Sequence, residues 1–296
     1  MSKRMKQVIC ILACMFLILG GIFGVPLTSD ASGYQFITGN NSMATAYDAG
    51  TYNNLKYINI GMLEEDQEQS WYMFSVPANS KVYVALSSND SDAGIEFSLY
   101  DSGGNYVDTV TNPGNQIPQT GTRKSLYLNI DNDTSSSQTY YVVVERDYYE
   151  GDLLITMNGG DRIRNHSITV NYSGKATNNG GGSDSSILSV NLTNYTNIPQ
   201  GAYVTSATTK GTQSPKQGNV RHKIRPGTSG DWYLSRYNNS ASGMFDFDES
   251  DEVNVRQTWQ FCYYAGASAK STMQNVSMTL QFKYDISENN YNILTD

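Results

Sequence analysis

Apolar and polar residues alternate along this chain in runs of five to eight positions, and no long stretch repeats with the 3.6-residue period of a helix. In "KVYVALSS" (81–88), Val82, Val84 and Leu86 fall on one side of an extended segment and Lys81, Tyr83 and Ala85 on the other. "GIEFSLYD" gives a face of Ile95, Phe97 and Leu99, and "SLYLNI", "TYYVVVE" and "DLLITM" read the same way. Turn residues separate the runs: "PANS" at 77–80, "DSGGN" at 101–105 and "YYEGD" at 148–152. Only "SMATAYDAG" (42–50) suggests a helical turn.

After Met157 the texture loosens. "NGGDRIRNH" reads as loop, "SITVNY" as one strand, and "SGKATNNGGGSDSS" (173–186) as a flexible linker. Strand patterns then resume from Ile187 in "ILSVNL", "AYVTSATT", "VRHKI", "DWYLSRY", "MFDF", "VNVRQTWQFCYY" and "VSMTLQFKYDI". The expected architecture is all-β: two antiparallel, jelly-roll-like β-sandwiches in tandem, 34–160 and 187–296, joined by a 161–186 linker with one strand.

The N-terminus changes the picture of location. Lys3, Arg4 and Lys6 precede an almost wholly apolar run, Val8 to Val25, and Ser29-Asp30-Ala31 supplies small residues at a cleavage site, so 1–31 reads as a signal peptide. Gly20, Gly21, Gly24 and Pro26 interrupt the run, which disfavours a retained membrane anchor. Ile11-Leu12-Ala13-Cys14 half resembles a lipobox, but the apolar run continues past Cys14. "ENNYNILTD" carries neither a hydrophobic span nor an LPxTG signal, so no C-terminal anchor is expected. The expected location is extracellular, with cell-wall association open, and without stable membrane insertion after cleavage.

Cleavage leaves 17 cations against 27 carboxylates, a formal charge of −10, because Lys3, Arg4, Lys6 and Asp30 depart. An acidic exported protein without a basic cluster argues against nucleic acid or anionic lipid as partner. Cys10 and Cys14 also leave, so Cys262 has no internal disulfide partner, and its apolar setting in "WQFCYY" predicts a buried, inert thiol. The roughly 265 remaining residues suffice for two hydrophobic cores.

Within the first half, Ser70-Trp71-Tyr72-Met73-Phe74-Ser75-Val76, the "KVYVALSS" strand, "NDSDAGIEFSLYDSGGN", "QTYYVVVE" and "EGDLLITM" follow one another in an order that resembles the bacterial pre-peptidase C-terminal (PPC) domain family. "NNSMATAYDAG" matches that family's opening element, and the resemblance spans about 40–158. It implies a secreted jelly-roll-like sandwich, usually attached beyond a peptidase; in bacterial collagenases a similar module binds collagen and calcium. Here the module would follow the signal peptide directly. Ser70 stands where calcium-binding members place an acid, and Thr38 and Gly39 where they place an Asn-Asp pair, although Asp66 and Glu68 are near. Calcium prefers several carboxylate oxygens, so it is the one cofactor the resemblance raises and this sequence supports it poorly. No other cofactor is expected, and no metal ligands are assigned.

Catalytic constellations are scarce. His166 and His222 are the only histidines, and no G-x-S-x-G elbow, H-E-x-x-H helix or C-x-x-C pair occurs. No catalytic residue is assigned. "FDFDESDEV" (245–253) imitates the start of an EF-hand, but Asp251 replaces the turn glycine and Gln257 the closing glutamate, so it reads as a strand edge entering an acidic turn. Aromatic residues are the stronger lead. Tyr148 and Tyr149 are adjacent in "RDYYEGD", and Trp232 and Tyr233 follow "PGTSGD"; these four are the candidate ligand-binding residues, while Trp71, Tyr72 and Trp259 are assigned to the core.

The expected function is a secreted, non-catalytic binding or accessory protein recognising cell-wall glycan, matrix polypeptide or another exported protein. The alternatives are a secreted hydrolase with its site in "GNVRHKIRPGTSGDWY", and a structural component of the envelope or an assembly.

Overall fold

The computed structural model describes residues 36–57, 60–63, 65, 67–88, 94–112, 114–118, 124–146 and 151–294. The first half supplies β1 (Phe36–Ile37), β2 (Tyr47–Thr51), β3 (Ile60–Leu63), β4 (Gln69–Val76), β5 (Ser80–Ser88), β6 (Ile95–Asp101), β7 (Tyr106–Asn112), β8 (Ile117–Pro118), β9 (Lys124–Asn132), β10 (Gln138–Arg146) and β11 (Leu153–Asp161). The second supplies β12 (Ile163–Asn171), β13 (Lys175–Asn178), β14 (Ser183–Asp184), β15 (Leu188–Asn191), β16 (Tyr203–Ser214), β17 (Val220–Pro226), β18 (Tyr233–Leu234), β19 (Ser242–Asp246), β20 (Thr258–Ala265) and β21 (Ser271–Asp285). The protein is all-β, with helix confined to short 3₁₀ turns among the described residues.

Four sheets result. Strands β1-β3-β11-β5-β9-β8 form one, and β2-β4-β10-β6-β7 the sheet facing it. Beyond Asp161, β12-β21-β16-β19 with β13 on β21 faces β14-β20-β17-β18 with β15 on β20. Among the described residues the pairing is antiparallel except for β1 with β3 and β2 with β4, which run parallel. The segment expected as a linker carries β13 and β14, each hydrogen-bonded into a sheet: Lys175–Asn178 pair with β21, and Ser183–Asp184 with β20. Its glycines serve a turn, not a tether; Asn178 Nδ2–H donates to the Ser183 carbonyl at 2.7 Å across it.

Alternation fills each core. β4 buries Ser70, Tyr72, Phe74 and Val76 and leaves Gln69, Trp71, Met73 and Ser75 on the opposite face. Val82, Val84 and Leu86 of β5 and Ile95, Phe97 and Leu99 of β6 meet them in the first core. β5 departs from simple alternation, since Tyr83 and Ala85 are buried too, within the hydrophobic cluster of the second half. The expected polar face of this strand is covered by the junction between the halves.

Tyr291 of the C-terminal "ENNYNILTD" stretch takes part in that junction. Tyr291 stacks on Tyr127 with ring centroids 3.7 Å apart and planes at 15°, its hydroxyl donates to Asn129 Oδ1 at 3.0 Å, and Tyr83 closes the aromatic trio. Arg162, at the chain's crossing point, reaches Asp131 on one side and Asp285 on the other, both at 2.8 Å. Gly159 permits the tight packing nearby: a Cβ there would lie 2.1 Å from the Tyr52 carbonyl oxygen.

Candidate functional site

A strand whose alternate residues feed the core must offer the others to solvent or to a partner. On the outer face of the β2-β4-β10-β6-β7 sheet four of those residues, one on each of four neighbouring strands, are aromatic. Trp71 and Met73 of β4 lie opposite Val143 and Tyr141 of β10; Tyr141 is opposite Tyr100 of β6, and Tyr100 is opposite Tyr106 of β7. The Trp71 and Tyr100 ring centroids are 5.2 Å apart, and those of Tyr100 and Tyr106 6.0 Å apart with planes at 81°. Tyr106 is 57% exposed. A contiguous row of half-buried to exposed rings therefore crosses four strands.

Polar groups fix the row at one end. Trp71 Nε1–H donates to Gln69 Oε1 at 2.9 Å, and the Gln69 amide in turn donates to Glu145 Oε1. Glu145 lies directly across from Glu96, which accepts from the Ser98 hydroxyl at 3.0 Å; Ser98 also shares a 2.8 Å bond with Thr109. Burial, then the negative charges of Glu145 and Glu96, push the Tyr100 hydroxyl above its ordinary pKa, so it stays a neutral donor. The face thus offers planar apolar area beside two carboxylate acceptors.

This placement corrects the expectation for Trp71. Tyr72 and Trp259 are fully buried as expected, with Trp259 Nε1–H donating to the Val255 carbonyl at 3.1 Å, but Trp71 is turned outward by the two-residue period of the strand. The signal was in the sequence: in "QSWYMFSV" the adjacent Trp71 and Tyr72 cannot both point inward.

The structure divides the four aromatic candidates. Tyr148 and Tyr149 lie outside the described residues. Tyr233 leans inward on Phe247, with centroids 4.5 Å apart, and packs against the second core. Trp232 lies under the Arg225 guanidinium, whose Cζ is 4.6 Å from the ring centroid.

Other chemistry-bearing residues have structural partners. His222 is fully buried; Nδ1 shares a 2.8 Å hydrogen bond with the Thr209 hydroxyl, and the ring meets Phe261 edge-on at 5.3 Å. Burial pushes this imidazole down to about 4, the Ser240 backbone opposing. His166 meets Phe282 edge-on at 5.7 Å. Cys262 is buried, and burial raises its thiol to about 12. In the acidic stretch, Phe245 and Phe247 enter the core while Asp248 caps a 3₁₀ turn, accepting from Ser250 N–H and Oγ–H, and Asp246 and Glu249 pair with Arg236 and Lys283. Ser70 is buried and takes part in a neutral network with Asn40 and the Tyr72 hydroxyl. Asp66 lies outside the described residues. Among the described residues, no three His, Cys, Asp or Glu converge as a metal site, and no helix is long and apolar enough to cross a membrane.

The fold and its outward-facing aromatic row define an all-β protein of paired sheets. The sequence is 35% identical over 268 residues to the uncharacterized protein YbdN of Bacillus subtilis (strain 168), covering 88% of this chain and 92% of that one. The chain belongs to the YbdN family. No family model matches the sequence. Similar solved structures include a candidate secreted protein from Eubacterium rectale (10% identity, TM-score 0.36, 88% of this chain and 85% of that one). The PPC domain of a collagenase from Bacillus anthracis is another (17% identity, TM-score 0.26, 38% of this chain and 94% of that one).

Proposed function

We propose that this is a secreted, non-catalytic binding protein that holds a polysaccharide on the outer face of the β2-β4-β10-β6-β7 sheet. The observation that carries the reading is the row Trp71–Tyr100–Tyr106, with Tyr141 beside it and Glu96 and Glu145 at its end. Aromatic rings supply large apolar area at little conformational cost, and they suit the C–H faces of sugar rings. The carboxylates accept hydrogen bonds from sugar hydroxyls, and none of these four half-buried to exposed rings belongs to either core. Residues 1–31 act as a signal peptide, and the sheets formed before Arg162 and those formed from Ile163 onward behave as two sandwich units. The PPC resemblance of 40–158 belongs to the same reading, as do Tyr148 and Tyr149 as further contacts.

The test is retention by affinity electrophoresis through gels holding neutral soluble glycans, together with pull-down on insoluble peptidoglycan. Removing an anchoring aromatic at an interface costs about 2 kcal/mol, roughly thirtyfold in affinity. Trp71→Ala and Tyr106→Ala are each expected to abolish retention while leaving the thermal unfolding of the second half unchanged. Undiminished retention in both variants would overturn the reading. Loss of binding to collagen, with no glycan bound by the parent protein, would assign the row to a polypeptide instead.

A further inference from the structure

The outer face of the β14-β20-β17-β18 sheet has a different chemistry. His222, Val220 and Ile224 of β17 point into the core, so Arg221, Lys223 and Arg225 project together from the opposite side. Across β20 they lie opposite Tyr264, Cys262 and Gln260 in turn, and Leu234 of β18, 46% exposed, is opposite Lys223. Three cations in a row on one strand form the only such stripe among the described residues of a strongly acidic chain.

Each cation is held in place. Arg221 Nε–H donates to the Ser235 carbonyl at 2.8 Å. Arg225 donates from Nε to Gln260 Oε1 at 3.0 Å and from Nη1 to the Gly230 carbonyl at 3.2 Å, with its plane over Trp232. Lys223 lies over Tyr264 and pairs with Asp184 at 2.8 Å. Neutral acceptors position both arginines and leave their charge intact; among the described residues Asp184 is the one carboxylate paired with the row.

We infer that this face is a second binding site, for a linear polyol-phosphate polymer. Side chains two residues apart on a strand are about 7 Å apart. Three bonds of an extended chain cover about 3.5 Å, so a polymer with one phosphodiester every six backbone bonds repeats its charge at about 7 Å. Polysaccharides that alternate charged and neutral sugars space their carboxylates more widely. Single-stranded nucleic acid shares the phosphate spacing but gains from stacking bases on open rings; here Trp232 and Tyr264 already carry cations over their faces. Arginine matches the phosphate oxygens in bidentate fashion.

Binding of poly(glycerol phosphate) to the full chain is measured at about 50 and about 200 mM salt, where counterion release makes such contacts weaken steeply. Polygalacturonate and oligothymidylate serve as comparison arms. The double variant Arg221→Gln/Arg225→Gln is expected to lose roughly tenfold or more in affinity and to flatten the salt dependence. Asp184→Asn, which releases Lys223 from its partner, is expected to bind several-fold more tightly, a gain that no folding defect can imitate. Trp71→Ala leaves this binding unchanged, which separates it from the first site. Absence of binding, a weaker Asp184→Asn variant, or equal affinity for either comparison polymer would overturn the inference.

Discussion

Arg162 is the residue whose removal should most disturb the relation between the two halves. Its side chain is 8% exposed and lies between Asp131, 41% exposed, and Asp285, 15% exposed. Its backbone is tied as well, with N–H to the Lys81 carbonyl at 2.9 Å and its carbonyl accepting from Ile286 at 3.0 Å. Replacement by Met keeps the length and the backbone bonds but strands two carboxylates. Removing one partner of a fully buried ion pair costs about 3–5 kcal/mol. The value here should be lower: Asp131 regains water, and Asp285 keeps the bonds it accepts from Ser287 N–H and Oγ–H at 2.9 and 2.7 Å. An expected loss of about 2–3 kcal/mol follows, which for a chain of this size lowers Tm by about 3–5 °C. Urea unfolding of Arg162→Met, Asp285→Asn and the double variant measures the coupling directly. An Arg162–Asp285 coupling below about 0.5 kcal/mol would refute the reasoning, since that is the value of an exposed pair.

Two further outcomes can be measured. Burial holds His222 at about 4, below the ordinary 6.5, so the unfolded chain binds a proton that the native one refuses between those values. Stability is therefore whole above pH 6.5 and falls as pH drops toward 4; between pH 7 and 5 the loss is about 2 kcal/mol, and His222→Gln should remove that share of the pH dependence. A preparation beginning after residue 31 should show no reaction of the Cys262 thiol with a disulfide reagent at pH 8 until denaturant is added, and reaction of the folded protein would contradict its burial.

Much of the fold was legible because β alternation is a local property. Val82, Val84, Leu86, Ile95, Phe97 and Leu99 all lie in the first core, as their spacing implies, and Trp259 and Phe261 with Tyr263 do the same in the second. The 42–50 stretch shows why short helical signals are weak: it yields one 3₁₀ turn at Met43–Thr45 before β2 begins at Tyr47. The glycine-rich 173–186 segment misled because turn residues and linker residues share a composition, while pairing with β20 and β21 depends on strands about 80 to 100 residues away. Trp71 misled because hydrophobicity alone assigns a tryptophan to the interior, whereas its neighbour Tyr72 had taken the inward position.

From the sequence by itself came the all-β class, the alternating core positions, the apolar setting of Cys262 and the scarcity of catalytic groups, since each depends on residue type and a period of two. Tertiary structure alone decided what each outward face meets. Tyr83 and Ala85 are polar-side positions that the junction buries, and Tyr291 is a tail residue that stacks on Tyr127. Trp71, Tyr100 and Tyr106 come from three separate strands, and only the β4-β10-β6-β7 order brings them into one row. The physical reason is that alternation states which side of its own strand a residue occupies, while strand order and sheet stacking determine what that side meets.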